Sequence, residues 1–171
     1  MPTHNWLRWA RTTAELCLMT SKGWPAVFIQ TDRRDGGWHS WPAIIHAANS
    51  GRPFIWHKIA LTREPDRTDL HRPTYRHVIA AGDGTPGPRT PDVWHDGPKR
   101  WTNGVGATTA DVVGRWIVER CPNMEILNPF AGSGTLIDAI IVAGGRAIGC
   151  DINPRWTEED SGVVSQIGFT I

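Results

Sequence analysis

The 171 residues of the chain, 40% of them hydrophobic and 20% charged, suit one globular domain whose core needs no disulfide or metal. No apolar run approaches the roughly 18 residues of a membrane span, and the first residues carry no secretory signal, so we expect a cytoplasmic protein. Cys17, Cys121 and Cys150 are odd in number and far apart, which excludes a disulfide framework and suits free thiols.

The formal net charge of +1 is too small to indicate a nucleic-acid binder, but the charge is unevenly distributed. Residues 1–120 hold 16 Lys or Arg against 11 Asp or Glu, whereas residues 121–171 hold 2 against 6. An anionic partner would therefore meet the first part, unless these are simply solvated surface charges. The ten tryptophans suit both a protein core and base-binding sites, and we expect most of them in the core.

The first half of the chain alternates helical and strand patterns. Apolar residues recur at helical spacing from Trp6 to Leu18, between the helix-capping residue Asn5 and the helix-ending Gly23. Short apolar runs predict strands at residues 26–31, 53–61 and 75–81, and a second helix at residues 41–49. This alternation favours an α/β layered sheet over an all-β sandwich.

The second half begins with a loop, because six of the ten residues from 82 to 91 are Gly or Pro. A helix is predicted at residues 107–120, where the apolar side chains share one face and Pro122 follows. Next come a strand at 124–127, a glycine turn, a helix at 135–143 and a strand at 146–150. This succession predicts a short βαβ unit with two parallel strands.

The glycine turn of that unit, Asn128-Pro-Phe-Ala-Gly-Ser-Gly-Thr135, lies where open α/β sheets bind nucleotide-like ligands. Gly132 and Gly134 can adopt positive φ and let a ligand approach the backbone. Asp151 follows at the tip of the next strand, where a carboxylate can accept hydrogen bonds from ribose hydroxyls. The pattern therefore predicts a cofactor that contains adenosine.

Two common nucleotide motifs do not fit this turn. A P-loop requires a lysine directly after its last glycine, and Thr135 stands there. The dinucleotide fingerprint requires a third glycine where this chain has Ile137, which disfavours an NAD-binding oxidoreductase but leaves it as an alternative.

Residues 124–154 resemble the S-adenosylmethionine-dependent methyltransferases that modify exocyclic amino groups of DNA bases. The likeness is carried by Asn128-Pro-Phe-Ala-Gly-Ser-Gly-Thr-Leu-Ile-Asp-Ala and by Gly-Arg-Ala-Ile-Gly-Cys-Asp-Ile-Asn-Pro154. The resemblance implies a Rossmann-like methyltransferase sheet with flanking helices, S-adenosyl-L-methionine as cofactor and DNA as partner. It assigns the ribose to Asp151 and the methionine side to the loop, with these cofactor-binding residues: Asn128, Phe130, Ala131, Gly132, Ser133, Gly134 and Thr135.

A weaker likeness covers most of the remaining chain and concerns the order of its parts. In one permuted branch of the family, the substrate-side half precedes the cofactor loop. The resemblance thus implies a single methyltransferase-like domain over residues 1–171. Its substrate-side half would be residues 1–81, followed by a loop at 82–106 and the cofactor-binding half at 107–160.

The chain departs from the family pattern in two places. Asn128 stands where the family usually has Asp, which removes one negative charge near the cofactor's ammonium group. The branch's catalytic Asp-Pro-Pro-Tyr tetrapeptide, or its Asn or Ser variant, does not occur in the sequence. We therefore expect a sheet that lacks the strand bearing this motif, in a truncated or decayed copy, and Asp32 is the only weak candidate for a catalytic residue.

Other polar residues have plainer interpretations. His57, Lys58, His71, Tyr75 and His77 could form a polar site, but their pattern does not indicate metal ligands, so we expect no metal. Several arginines could contact phosphates or could simply be solvated: Arg33, Arg34, Arg63, Arg67, Arg72 and Arg76. The leading hypothesis is a DNA amino methyltransferase, and the alternative to it is a non-catalytic cofactor- or DNA-binding remnant of the same fold.

Overall fold

The computed structural model describes residues 3–21, 23–31, 54–64, 74–82, 87 and 89–151. Packing divides the chain into two compact units, residues 1–95 and residues 96–171. Asp32 and the helix predicted at residues 41–49 lie outside the described residues. Within the described part of the chain, no helix is both long enough and apolar enough to cross a membrane.

The first unit contains one helix and four strands in its described part. They are α1 (Thr3–Thr20), β1 (Ala26–Gln30), β2 (Phe54–Leu61), β3 (Tyr75–Ala81) and β4 (Val93–His95). The strands form a sheet in the order β1-β3-β2-β4, in which β3 is antiparallel to β1 and β2, and β4 is parallel to β2. The helix and the first three strands confirm the sequence predictions, but α1 begins at Thr3, so Asn5 lies within the helix and the prediction that it caps the helix is wrong.

The core of this unit lies where α1 packs on the sheet. Ala10, Ala14 and Leu18 recur every fourth residue along α1, so they share one face of the helix, and all three are buried. Leu18 packs against Ala81 of β3, and Phe28 packs against the same cluster. β3 lies between β1 and β2, and all its residues except the first are buried.

Strand β4 lies inside the segment 82–106, which the sequence predicts as a loop. Trp94 is buried, and the Ile59 N–H donates to the Asp92 carbonyl at 3.0 Å beside the start of the strand. The Lys58 ammonium donates to the carbonyl groups of Thr90 and Pro91 at 2.6 and 2.9 Å. Contacts from β2 therefore stabilise a strand of three residues that has too little local signal to be predicted.

The second unit contains α2 (Ala107–Arg120), β5 (Glu125–Asn128), α3 (Thr135–Val142) and β6 (Arg146–Gly149). Strands β5 and β6 pair in parallel, with Glu125 opposite Arg146 and Asn128 opposite Gly149. The βαβ prediction is confirmed, and with it the α/β fold class with flanking helices. Ile137, Ile140 and Ala147 form the core between α3 and the sheet.

Asp96, a buried residue of the preceding segment, holds the turn at which helix α2 begins. Asp96 accepts the Gly106 N–H on its side chain at 3.1 Å and the N–H groups of Thr108 and Thr109 on its backbone carbonyl at 3.1 and 3.2 Å. Lys99 lies 3.4 Å from the same carboxylate. The carboxylate thus fixes Gly106 directly before the helix, while the backbone carbonyl of Asp96 accepts two of the N–H groups that have no partner within the helix. Together these bonds hold residues 96–106 in place.

Candidate functional site

The glycine loop lies at the carboxyl ends of β5 and β6. The Cys150 N–H donates to the Asn128 carbonyl at 2.9 Å, and the Ala131 N–H donates to the Cys150 carbonyl at 2.9 Å. These two bonds continue the strand pairing into the loop. They bring the loop next to Asp151, as the sequence predicts for a site at the strand tips.

Gly132 and Gly134 have φ of +54° and +76°, in the left-handed region that the sequence pattern predicts. A Cβ at Gly134 would have no heavy atom within 4 Å, and one at Gly132 would meet Trp101 Nε1 at 3.7 Å. The loop therefore has open space at Gly134, while Gly132 faces Trp101 at van der Waals distance.

Three polar side chains hold the backbone of the loop at residues 130, 132 and 133. The Asn128 amide oxygen accepts the Phe130 N–H at 3.1 Å, and Asp151 Oδ2 accepts the Gly132 N–H at 2.8 Å. Arg100 Nη1 donates to the Ser133 carbonyl at 2.9 Å. The loop conformation is thus set by the protein itself before any ligand is considered, which lowers the entropy cost of binding.

Asn128 occupies the position at which the resemblance expects Asp. Its side chain supplies the acceptor for the turn at Phe130, and an amide oxygen is sufficient for this structural role. Only the charge of the family residue is missing.

Ala131 supports the loop from the side of the sheet. A Cβ at Gly149 would lie 2.8 Å from the Ala131 Cβ and 3.3 Å from Ile137 Cγ1, so strand β6 comes very close to both residues. The Ala131 carbonyl also accepts the Gly134 N–H at 3.0 Å. The close approach of helix and strand is made possible here by a glycine on the strand, while Ile137 remains buried on the helix.

The outer side of the loop carries an aromatic ring and two hydroxyls. The Phe130 residue is 58% exposed, although it is large and apolar. The hydroxyls of Ser133 and Thr135 lie 3.2 Å apart at the start of α3. The residues that the resemblance assigns to the cofactor therefore lie together, with Asp151 beside them.

Sequence reasoning missed Arg100 and Trp101. Arg100 Nη2 donates to Asp138 of α3 at 2.5 Å, so the guanidinium joins the loop to the first turn of the helix. The contacts of Arg100 span 33 and 38 residues along the chain. No motif marks these residues, and they meet the loop only because residues 96–106 fold back onto it.

The polar residues considered in the first unit have two sets of contacts. His57 Nε2 lies 2.7 Å from His77 Nδ1, and the Tyr75 ring packs edge-on against His77 with 5.3 Å between centroids. Lys58 is engaged with carbonyl groups and with Asp92, 3.0 Å away. Within the described ranges, no three His, Cys, Asp or Glu side chains are grouped so that they could hold a metal ion.

The arginines considered for phosphate contacts have different environments. Arg76 is 4% exposed, so it is neither a solvated surface charge nor accessible to a phosphate in solvent. Arg63, by contrast, is exposed. The other candidates lie outside the described residues: Arg33, Arg34, Arg67, Arg72 and, among the polar residues, His71.

No protein-family model and no curated protein matches the chain. Solved structures do match it. A proposed DNA modification methylase from Thermus thermophilus superposes with a TM-score of 0.68 at 16% identity, over 91% of this chain and 77% of that one. The chain has the methyltransferase fold.

Two further solved structures contain S-adenosyl-L-methionine. The complex of the same Thermus thermophilus protein matches with a TM-score of 0.59 at 18% identity, over 80% of this chain and 66% of that one. The complex of M1.HpyAVI matches with a TM-score of 0.61 at 14% identity, over 92% and 81% of the two chains.

Proposed function

We propose that the chain binds S-adenosyl-L-methionine at the glycine loop and acts as a methyltransferase on amino groups of DNA bases. The observation that carries this proposal is the open loop at the tips of two parallel strands, with Asp151 beside it. The solved structures of the same fold that contain this cofactor support it.

The residues of the loop fit the proposed cofactor in shape and in chemistry. The open side at Gly134 has room for a ligand that a side chain would exclude. A carboxylate such as Asp151 is the acceptor that two ribose hydroxyls require, and the exposed Phe130 ring can cover an apolar part of the ligand and exclude water from it.

The roles of the individual residues follow from these positions. Gly132, Ser133, Gly134 and Thr135 would lie along the methionine part, and Asp151 would hold the ribose. Asn128 sets the turn at Phe130 and brings no charge toward the ammonium group. When bound, the cofactor supplies an electrophilic methyl group on its sulfonium, and this chain's part is to hold the cofactor in place.

A second candidate function is cofactor binding without methyl transfer. The sequence contains no Asp-Pro-Pro-Tyr tetrapeptide, which in the resembling branch holds the target amino group. Positioning the reacting groups can lower the activation barrier by roughly 7–11 kcal/mol. A cofactor bound without a positioned target is therefore a poor catalyst. Asp32 remains the proposed candidate for a substitute catalytic group.

Binding and transfer can be measured separately. Calorimetry of the whole chain with S-adenosyl-L-methionine and with NAD should show binding of the first and none of the second. Binding of NAD alone would instead favour an oxidoreductase and would overturn the proposal.

The cytoplasmic location expected from the sequence stays part of the proposal.

Incubation with labelled S-adenosyl-L-methionine and mixed-sequence DNA then tests the transfer step. Label in adenine or cytosine supports the methyltransferase, and its loss in a folded Asp32→Ala variant would identify the catalytic group. Cofactor binding with no label in DNA supports the non-catalytic function instead.

A further inference from the structure

The carboxylate that is proposed to hold the ribose also holds the glycine loop. Asp151 Oδ2 accepts the Gly132 N–H at 2.8 Å, across 19 residues of chain, and the contact is partly buried. Hydrogen bonds to a charged acceptor are about twice as strong as neutral ones, and partial burial limits competition from water.

Gly132 is a loop position whose conformation such a bond can determine. Its φ of +54° lies in one of several regions that glycine visits almost equally, so the residue has no strong preference of its own. The neighbouring backbone is already held: Ala131 donates to Cys150, and Gly134 donates to Ala131. The hydrogen bond to Asp151 therefore selects the conformation of Gly132, while backbone hydrogen bonds hold Ala131 and Gly134 on either side of it.

We propose that Asp151 is a positioning residue for the methionine side of the site as well as the acceptor for the ribose. The inference rests on the proposed function, since it concerns the two ends of the same cofactor. The Asp151–Gly132 hydrogen bond makes the two ends interdependent: removing the carboxylate lowers affinity for the amino-acid part of the cofactor, which Asp151 itself does not touch.

Two ligands separate this positioning role from a simple ribose contact. Adenosine contains the ribose without the amino acid, whereas S-adenosylhomocysteine contains both. The affinities of both ligands are measured by calorimetry for the parent chain, Asp151→Ala and Asp151→Asn. The Asn variant keeps an oxygen that can accept the Gly132 N–H.

In Asp151→Ala, we expect S-adenosylhomocysteine to lose about tenfold more affinity than adenosine, the lower end of what a charged hydrogen bond contributes. In Asp151→Asn, the ratio of the two affinities should return to within about threefold of the parent value, because the amide oxygen again holds the loop. Equal losses for the two ligands in Asp151→Ala would overturn the inference and leave Asp151 as a ribose acceptor only.

A readout without ligand keeps the inference separate from the proposed function. In the ligand-free chain, hydrogen exchange of the Gly132 amide followed by NMR should be at least tenfold faster in Asp151→Ala than in the parent. Asp111→Ala is the matched control, since Asp111 is a carboxylate of the same unit that pairs with Arg115 on α2. It should leave the Gly132 exchange rate unchanged.

The outcomes distinguish the two proposals. A parent chain that binds neither S-adenosyl-L-methionine nor S-adenosylhomocysteine would refute the proposed function and the coupling of the two ligand ends. Unchanged exchange at Gly132 in Asp151→Ala would refute the positioning role even if the cofactor binds. Thermal unfolding of each variant shows that the comparison is made on folded chains. Where Asp151→Ala does not fold, Asp151→Leu carries the exchange test, because its side chain also lacks an acceptor for the Gly132 N–H.

Discussion

Replacing Gly134 by alanine tests whether the open side of the loop is a binding surface. Gly134 precedes α3 with φ of +76° and ψ of 4°, and a Cβ there would meet no heavy atom within 4 Å. Gly144 lies just beyond the other end of α3, has φ of +88° and is equally open. Gly144→Ala is therefore a matched control that introduces the same backbone strain away from the loop.

The structure allows the two effects of the substitution to be estimated separately. A left-handed backbone costs a residue with a Cβ about 1–2 kcal/mol, at either position. For a chain of this size, that corresponds to a fall in melting temperature of about 2–8 °C in both variants. At Gly134, the added methyl group would also enter the volume assigned to the cofactor. Overpacking of this kind costs about 1–3 kcal/mol, which raises the Kd by about 5- to 150-fold.

The assay combines differential scanning calorimetry with titration of S-adenosyl-L-methionine into the parent and both variants. We expect similar losses of melting temperature in the two variants and weaker cofactor binding in Gly134→Ala alone. If Gly134→Ala and Gly144→Ala bound the cofactor equally well, the open side of the loop would not be the site. If only Gly134→Ala lost stability, the assumption of matched strain would be wrong.

Three further substitutions test contacts of the second unit. Arg100→Ala should hardly change the melting temperature, because the Arg100 side chain is 48% exposed. The substitution releases the Ser133 carbonyl, so it should weaken cofactor binding about threefold to tenfold, with Arg100→Lys intermediate. Unchanged affinity in calorimetry would contradict this. Burial raises the pKa of the Cys121 thiol above its ordinary value of 9.0. The neutral thiol therefore contributes stability that is complete below pH 9.0 and is lost as the pH rises through the raised pKa. Melting temperatures between pH 7 and about 10.5 should fall less steeply in Cys121→Ala than in the parent. In Gly106→Ala, the new Cβ would overlap the Asp96 carbonyl oxygen, so urea unfolding should show a loss of about 3 kcal/mol, and an unchanged midpoint would refute the described start of α2.

The regular elements could be predicted because each is encoded within a short stretch of chain. Val78, Ile79, Ala80 and Ala81 form a continuous apolar run, which is typical of a strand covered on both sides, and β3 is such a strand. The spacing of the apolar residues 113, 116 and 117 likewise predicts α2, whose buried face contains all three.

Contacts between distant residues could not be predicted in the same way. The order of the strands, with β3 between β1 and β2, depends on which strands pair and not on any single strand's sequence. Arg100 reaches the loop from a segment in which Asp96 accepts the N–H groups of Gly106, Thr108 and Thr109. Neither Arg100 nor Asp96 belongs to a periodic pattern.

The glycine loop combines features that its local sequence predicts with a contact that only the folded chain brings about. The residue types of the loop were sufficient to predict the left-handed glycines and a turn at the strand tips, because positive φ and a strand-to-helix turn are local properties. Only the folded chain decided that the Asp151 carboxylate would accept the Gly132 N–H, at 2.8 Å. That bond joins residues that are 19 positions apart, so it forms only when the folded β5-α3-β6 unit brings the Asp151 carboxylate to the loop backbone.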